Sequence, residues 1–216
     1  MKKAVIFDLD GTLTDTLRSI QKSANLALTA FGFEPYPLDP YRYFVGNGAE
    51  ELIRQCLRGR GDSDLVYFDR VMAKYREVFE IYCMYEVHPY DGIMELLAEL
   101  KKRNILLAVN SNKPQERTED VITQIFGQDC FAMLVGQSAD RKRKPAPDGV
   151  FYIMEKLGLQ KEDVIYIGDT CTDMMTGKSA GVFTAGALWG FRDREELTAY
   201  HADVILEKPG ELLLYL

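Results

Sequence analysis

Short apolar runs rich in β-branched residues recur along this chain, and each passes through a polar turn into a helical pattern. Ala4–Leu9, Ile105–Asn110, Ala132–Val135, Val164–Gly168 and Val182–Ala185 read as strands, with Val204–Leu206 as a short sixth. The intervening periodicity predicts helices over 92–103, 115–126, 147–157, 174–181 and 193–199. Strand and helix alternating at this spacing predict an α/β fold, a parallel sheet with helices on both faces. Uninterrupted runs such as Ile105-Leu106-Leu107-Ala108-Val109 suit strands buried from both sides, as such a sheet requires.

The stretch 15–88 breaks the alternation. Leu17, Ile20, Ala24, Ala27 and Phe31 lie on one stripe at helical spacing. Glu50–Leu57 and Asp69–Met84 carry helical patterns too, and no clear strand intervenes. Pro35, Pro37 and Pro40 punctuate the interior, while Pro89 and Gly92 mark the exit. The expected organisation is a core of residues 1–14 and 89–216, with an all-helical subdomain of residues 15–88 inserted after the first strand.

A sheet of this size needs apolar material, and the 216 residues supply it at 47% hydrophobic and 27% charged. The net charge of −7, from 33 acidic and 26 basic side chains, opposes nucleic-acid or anionic-membrane partners, which call for a basic face. An anionic substrate must therefore be met by local cations. Cys56, Cys83, Cys130 and Cys171 are scattered, with no close pair of the zinc-binding kind, and fit reduced thiols. The apolar run after Met1-Lys2-Lys3 stops at Asp8, too soon for a secretion signal, and no stretch reaches the length of a membrane span. A cytoplasmic protein is expected. Its oligomeric state is left open.

In an open parallel sheet, ligands gather at the carboxyl ends of the strands. There the unusual residues fall. The first strand ends in Asp8-Leu9-Asp10-Gly11-Thr12. Carboxylates two apart leave an extended strand on the same side, Gly11 permits a sharp turn, and Thr12 can hydrogen-bond it. A calcium loop would need acidic ligands where Thr12 and Ser19 stand, so that reading is poor; an ordinary polar turn is the plain alternative. The second strand ends in Asn110-Ser111-Asn112-Lys113-Pro114, where a hydroxyl followed by amides suits either a phosphate oxygen or a helix cap. Arg141-Lys142-Arg143-Lys144 puts four cations in a row, and Pro145 stiffens the chain after Lys144. Lys144 is the one placed to neutralise a phosphate, while the other three read as a solvated turn. The fourth strand ends in Gly168-Asp169-Thr170-Cys171-Thr172-Asp173, whose two carboxylates suit Mg²⁺ or helix capping.

Together, these four strand ends resemble the core motifs of the haloacid dehalogenase superfamily, from Ala4 to near the C-terminus. The resemblance implies a Rossmann-like core, phosphoryl transfer on an aspartate, a Mg²⁺ cofactor and a small helical cap. Asp10 favours the phosphatases, because the dehalogenases lack this second aspartate. The implied roles are Asp8 as nucleophile, and Asp10 as the acid that protonates the leaving group and then as base. Asp8, the Asp10 carbonyl, Asp169 and Asp173 are the implied metal ligands; Thr12, Ser111, Asn112 and Lys144 are the implied phosphate contacts.

In the insert, Phe44-Val45-Gly46-Asn47-Gly48-Ala49-Glu50-Glu51-Leu52-Ile53 resembles the cap of phosphoglycolate phosphatases. Ser111-Asn112-Lys113-Pro114 and Leu188-Trp189-Gly190-Phe191-Arg192, with Glu195-Glu196-Leu197, resemble that subgroup as well. Asn47 and Gly48 become candidates for substrate selection, although a tight turn before a helix explains the two glycines equally well. The expectation is a Mg²⁺-dependent phosphatase acting on a small phosphorylated metabolite. Pyrophosphate, nucleotide and sugar-phosphate hydrolysis are the alternatives. A β-phosphoglucomutase-like mutase is disfavoured, because Ile20 and Ala49 stand where that group carries a cap histidine and arginine. A catalytically silent phosphate-binding module would more simply have lost Asp8 or Asp10.

Overall fold

The computed structural model describes residues 2–216. The chain forms two compact units, one built from the segment up to Asp15 together with Pro89–Leu216, the other from Thr16–His88. Six strands make the sheet of the first unit: β1 (Ala4–Phe7), β2 (Leu106–Pro114), β3 (Met133–Gln137), β4 (Val164–Gly168), β5 (Phe183–Ala187) and β6 (Val204–Leu206). They lie in the order β3-β2-β1-β4-β5-β6, and every neighbouring pair is parallel. The chain thus winds outward from β1 in both directions, which makes the carboxyl end of β1 the switch point where such sheets bind ligands.

The helices of the inserted unit are α1 (Leu17–Thr29), α2 (Tyr41–Phe44), α3 (Ala49–Arg58) and α4 (Phe68–Tyr82). Those of the sheet unit are α5 (Ile93–Lys102), α6 (Gln115–Phe126), α7 (Asp148–Leu157), α8 (Cys171–Ala180) and α9 (Arg194–Ala199). Helices cover the sheet, so β1 is wholly buried, and Ala4 and Ile6 pack with Val150 and Ile153 of α7. Burial of a strand on both faces is what its unbroken apolar sequence demands. In the inserted unit, α1 packs against α4, with Leu17, Ile20, Ala24 and Ala27 buried on the first helix and Val71, Met72, Tyr75, Val78 and Phe79 on the second. Asn25 of α1 holds the proline-rich link, accepting from the Tyr36 amide at 2.8 Å and the Tyr41 hydroxyl at 2.9 Å. No helix among the described residues is long and apolar enough to cross a membrane.

Several element boundaries differ from the sequence expectation, two of them with a local cause, and one element is new. β2 runs on through Asn110–Pro114, with a shift of register against β3 between Asn110 and Pro114. α8 starts at Cys171 rather than 174, because Thr170 and Asp173 form a reciprocal capping box that begins the helix before its apolar pattern does. α2 was not anticipated, since four residues are too few to show a period.

Candidate active site

Neighbouring strands β1, β2 and β4 bring their carboxyl ends to one edge. Asp8 follows β1 directly, and its amide donates to the Ile167 carbonyl of β4 at 2.9 Å. Its carboxylate Oδ1 accepts the Leu9 amide at 2.7 Å and lies 2.7 Å from Lys144 Nζ. Lys144 also donates to Asp173 Oδ1 at 2.7 Å, so one buried ammonium bridges two buried carboxylates. The backbone of Lys144 is clamped from β2: its amide donates to Asn112 Oδ1 at 2.9 Å, and Asn112 Nδ2 donates to its carbonyl at 3.2 Å. The Lys144–Pro145 peptide is cis.

Asp173 accepts four donors. Oδ1 takes Lys144 and the Tyr166 hydroxyl at 3.2 Å, while Oδ2 takes the Thr170 amide at 3.1 Å and its hydroxyl at 2.7 Å. Asp169 is held at both oxygens, Oδ1 by the Thr12 hydroxyl and Oδ2 by the Phe191 amide, each at 2.9 Å. Gly11, at φ +89°, presents its α-carbon to Asp169 so closely that any side chain would collide with that carboxylate.

Ligand oxygens of Asp8, Asp169 and Asp173 lie within 4.8 Å of one another. Burial, then the charge of Asp173, pushes the Asp8 carboxyl well above the usual range, against the pull of Lys144. Burial and Asp173 likewise push Asp169 up to about 7, opposed by the bonds from Phe191 and Thr12. Burial pulls Lys144 down, but Asp173 and Asp8 outweigh it and keep the ammonium protonated. When ionised, three clustered carboxylates touched by one ammonium carry surplus negative charge among hard oxygen donors. A small divalent cation satisfies that arrangement, so the residues fit Mg²⁺.

The structure therefore gathers Asp8, Lys144, Asp169 and Asp173. The other predicted residues lie beside them and make hydrogen bonds within the chain that the sequence does not predict. Thr12 aims its hydroxyl at Asp169, and Asn112 its amide at the Lys144 backbone, so each orients a charged neighbour rather than facing open solvent. Ser111 is buried beside them and accepts the Lys113 amide at 3.2 Å. Asp10 keeps a carboxylate one-fifth exposed, bound to Lys113 Nζ at 2.8 and 3.1 Å. The sequence by itself assigns Lys113 no role. The signal that could have found it is its position two residues beyond Ser111 on an extended strand, which puts both on one face.

Of the cationic run, Lys142 and Arg143 are exposed, as a solvated turn requires, whereas Arg141 departs from that expectation: its side chain is only 20% exposed, pairs with Asp140 at 2.9 Å and lies over the Tyr152 ring at 4.5 Å. In the helical unit, Gly46 and Gly48 have φ of +110° and +84° immediately before α3, a tight turn that only glycine enters easily, with Asn47 between them.

Residues 5–187 match the family model described as haloacid dehalogenase-like hydrolase. A phosphoglycolate phosphatase of Aquifex aeolicus is 31% identical over 215 residues, covering 98% of this chain and 95% of that protein. An N-acetylmuramic acid 6-phosphate phosphatase of Pseudomonas aeruginosa is 30% identical, covering 98% and 93%. Among solved structures, a haloacid dehalogenase-like family hydrolase from Streptococcus pneumoniae superposes with a TM-score of 0.88 at 27% identity, covering 99% of this chain and 98% of that one.

Proposed function

The chain belongs to the haloacid dehalogenase-like hydrolase family and is a phosphatase, and from that premise we propose that it hydrolyses a small phosphomonoester of the 2-phosphoglycolate kind through a phosphoaspartate on Asp8. The observation that carries this reading is the Asp8–Lys144–Asp173 bridge beside Asp169, built from adjacent strand ends.

An Asp8 oxygen attacks phosphorus in line; the new O–P bond forms as the bond to the ester oxygen breaks. Asp10 gives its proton to the leaving alkoxide, then takes one from the water that attacks the phosphoaspartate, releasing phosphate and restoring Asp8. Before the first step Asp10 must give up its ion pair with Lys113 and take up a proton from water, and an arriving phosphate dianion competes for that ammonium. Lys144 and Ser111 hold nonbridging oxygens. Asp8, Asp169 and the Asp10 carbonyl would hold Mg²⁺, which supplies positive charge against the phosphoryl oxygens as charge builds there. Asp173, already accepting four donors, holds Lys144 in place. Substrate choice is assigned to the inserted helical unit, with Asn47 and Gly48 the first positions to vary.

A phosphate-release screen with and without Mg²⁺ tests the reading. It should include 2-phosphoglycolate, N-acetylmuramic acid 6-phosphate, pyrophosphate, nucleoside monophosphates and hexose phosphates. Mg²⁺-dependent release from 2-phosphoglycolate is expected. Silence across the whole panel would leave a phosphate-binding module in its place.

Metal binding should also depend on pH. Mg²⁺ requires ionised carboxylates, and Asp169 sits at about 7 without it. Its folded value lies above the unfolded value of roughly 4, so the metal-free fold loses stability as pH rises through that window, and Mg²⁺ offsets the loss. The rise in Tm caused by a fixed Mg²⁺ concentration should be larger at pH 8 than at pH 6. Equal shifts at both would contradict this electrostatic account.

A further inference from the structure

We propose that the segment from Trp189 to Glu196 is a brace that sets how tightly this site holds its divalent cation, with Trp189 and Glu196 as positioning residues. The inference rests on the metal reading above. Asp169 can offer a lone pair in one direction only if its rotamer is fixed, and two donors from different loops fix it, the Thr12 hydroxyl and the Phe191 amide. The brace ties those loops together. Trp189 Nε1 donates to the Thr12 carbonyl at 2.9 Å, across 177 positions of sequence. Between Trp189 and Phe191, Gly190 touches Asp169 and the Gly11 carbonyl so closely that a β-carbon there would collide with both.

Glu196 closes the other side. Its Oε1 accepts the amide of Cys171, two residues after Asp169, at 2.9 Å. Its Oε2 lies 3.1 Å from Nε of Arg192, a residue only 7% exposed. Arg192 follows the residue whose amide binds Asp169, and its charge acts on that carboxylate. A cation so placed competes with a metal ion for Asp169, and Glu196 offsets it. Groups that orient a ligand commonly change metal affinity by roughly 10–100-fold when removed.

The test is calorimetric titration of metal-free protein with MgCl₂ at pH 8, alongside turnover against Mg²⁺ concentration. Trp189→Phe keeps the aromatic bulk and removes the N–H. Glu196→Gln keeps an acceptor for the Cys171 amide and removes the charge. Each should raise the Mg²⁺ Kd about tenfold, with turnover restored at saturating Mg²⁺. Adding Arg192→Gln to Glu196→Gln should return Kd most of the way to wild type. Variants that bind Mg²⁺ within twofold of wild type overturn the brace while leaving the metal site standing. A double variant as weak as Glu196→Gln overturns the role given to Glu196. Wild type that takes up no Mg²⁺ removes the metal reading, and the brace with it. Should Trp189→Phe fail to fold, as circular dichroism would show, Glu196→Gln becomes the deciding variant, because Glu196 stays 23% exposed and glutamine matches its size.

Discussion

Asp8→Asn should lower turnover roughly 10⁴-fold or more while leaving a folded protein. An amide nitrogen is no nucleophile toward phosphorus, so the covalent step loses its attacking atom outright. The fold should tolerate the change. Asparagine retains an oxygen in place of Oδ1, which can still accept the Leu9 amide and Lys144. The variant loses an ion pair, yet it also removes a buried charge that desolvation and Asp173 already disfavour. These contributions oppose each other, and Tm should move by only a few degrees. Acid quench of wild type with ³²P-labelled substrate should trap a hydroxylamine-sensitive label on the protein, and the variant should trap none. Near-native turnover in Asp8→Asn, or a label that survives in it, would remove Asp8 from the chemistry.

The parallel sheet was legible because its strands carry their burial in their own composition. β1 and β4 are apolar at each position from Ala4 to Phe7 and from Val164 to Ile167, as burial on both faces requires. Boundaries were less so. The start of α8 depends on how Thr170 and Asp173 cap each other, and Asp173 reads equally as a metal ligand. Similarly, nothing in Asn110–Pro114 says that β2 stays extended past its apolar run; pairing with β3 decides it.

At the site, the residues at strand ends could be read because topology brings strand ends together whatever the side chains do. What those side chains touch could not. Lys113 looks like any lysine before a proline until it meets Asp10, 103 positions away. Thr12 is a plausible phosphate contact by position, and only the loop geometry turns its hydroxyl to Asp169. Tyr166 reads as one more apolar residue of β4, yet its hydroxyl is a donor to Asp173. Each of these depends on a long-range partner, which local pattern does not encode.

Lys144→Met should be the most damaging substitution to the fold itself. The methionine fills a similar volume, but it leaves Asp8 and Asp173 without the ammonium that bridges them, both nearly inaccessible to water. Breaking a buried ion pair from one side typically costs about 3–5 kcal/mol, because the remaining charge is neither paired nor hydrated. Asp173 keeps Tyr166 and Thr170 as donors, so the heavier burden falls on Asp8. The deficit should depend on pH with a definite sign. Asp8 already holds its proton more tightly in the folded chain than in the unfolded one, and losing Lys144 removes the strongest force opposing that. The folded variant then binds more protons than its unfolded state, so its stability falls as pH rises above the unfolded value of about 4. Urea denaturation in EDTA should show a large loss relative to wild type at pH 8 that shrinks toward pH 5. Turnover with Mg²⁺ should fall by at least roughly 10³-fold, since a preorganised positive charge on the phosphoryl oxygens is gone. A stability loss that stays constant from pH 5 to pH 8 would show that Lys144 acts on the fold through packing rather than through its charge.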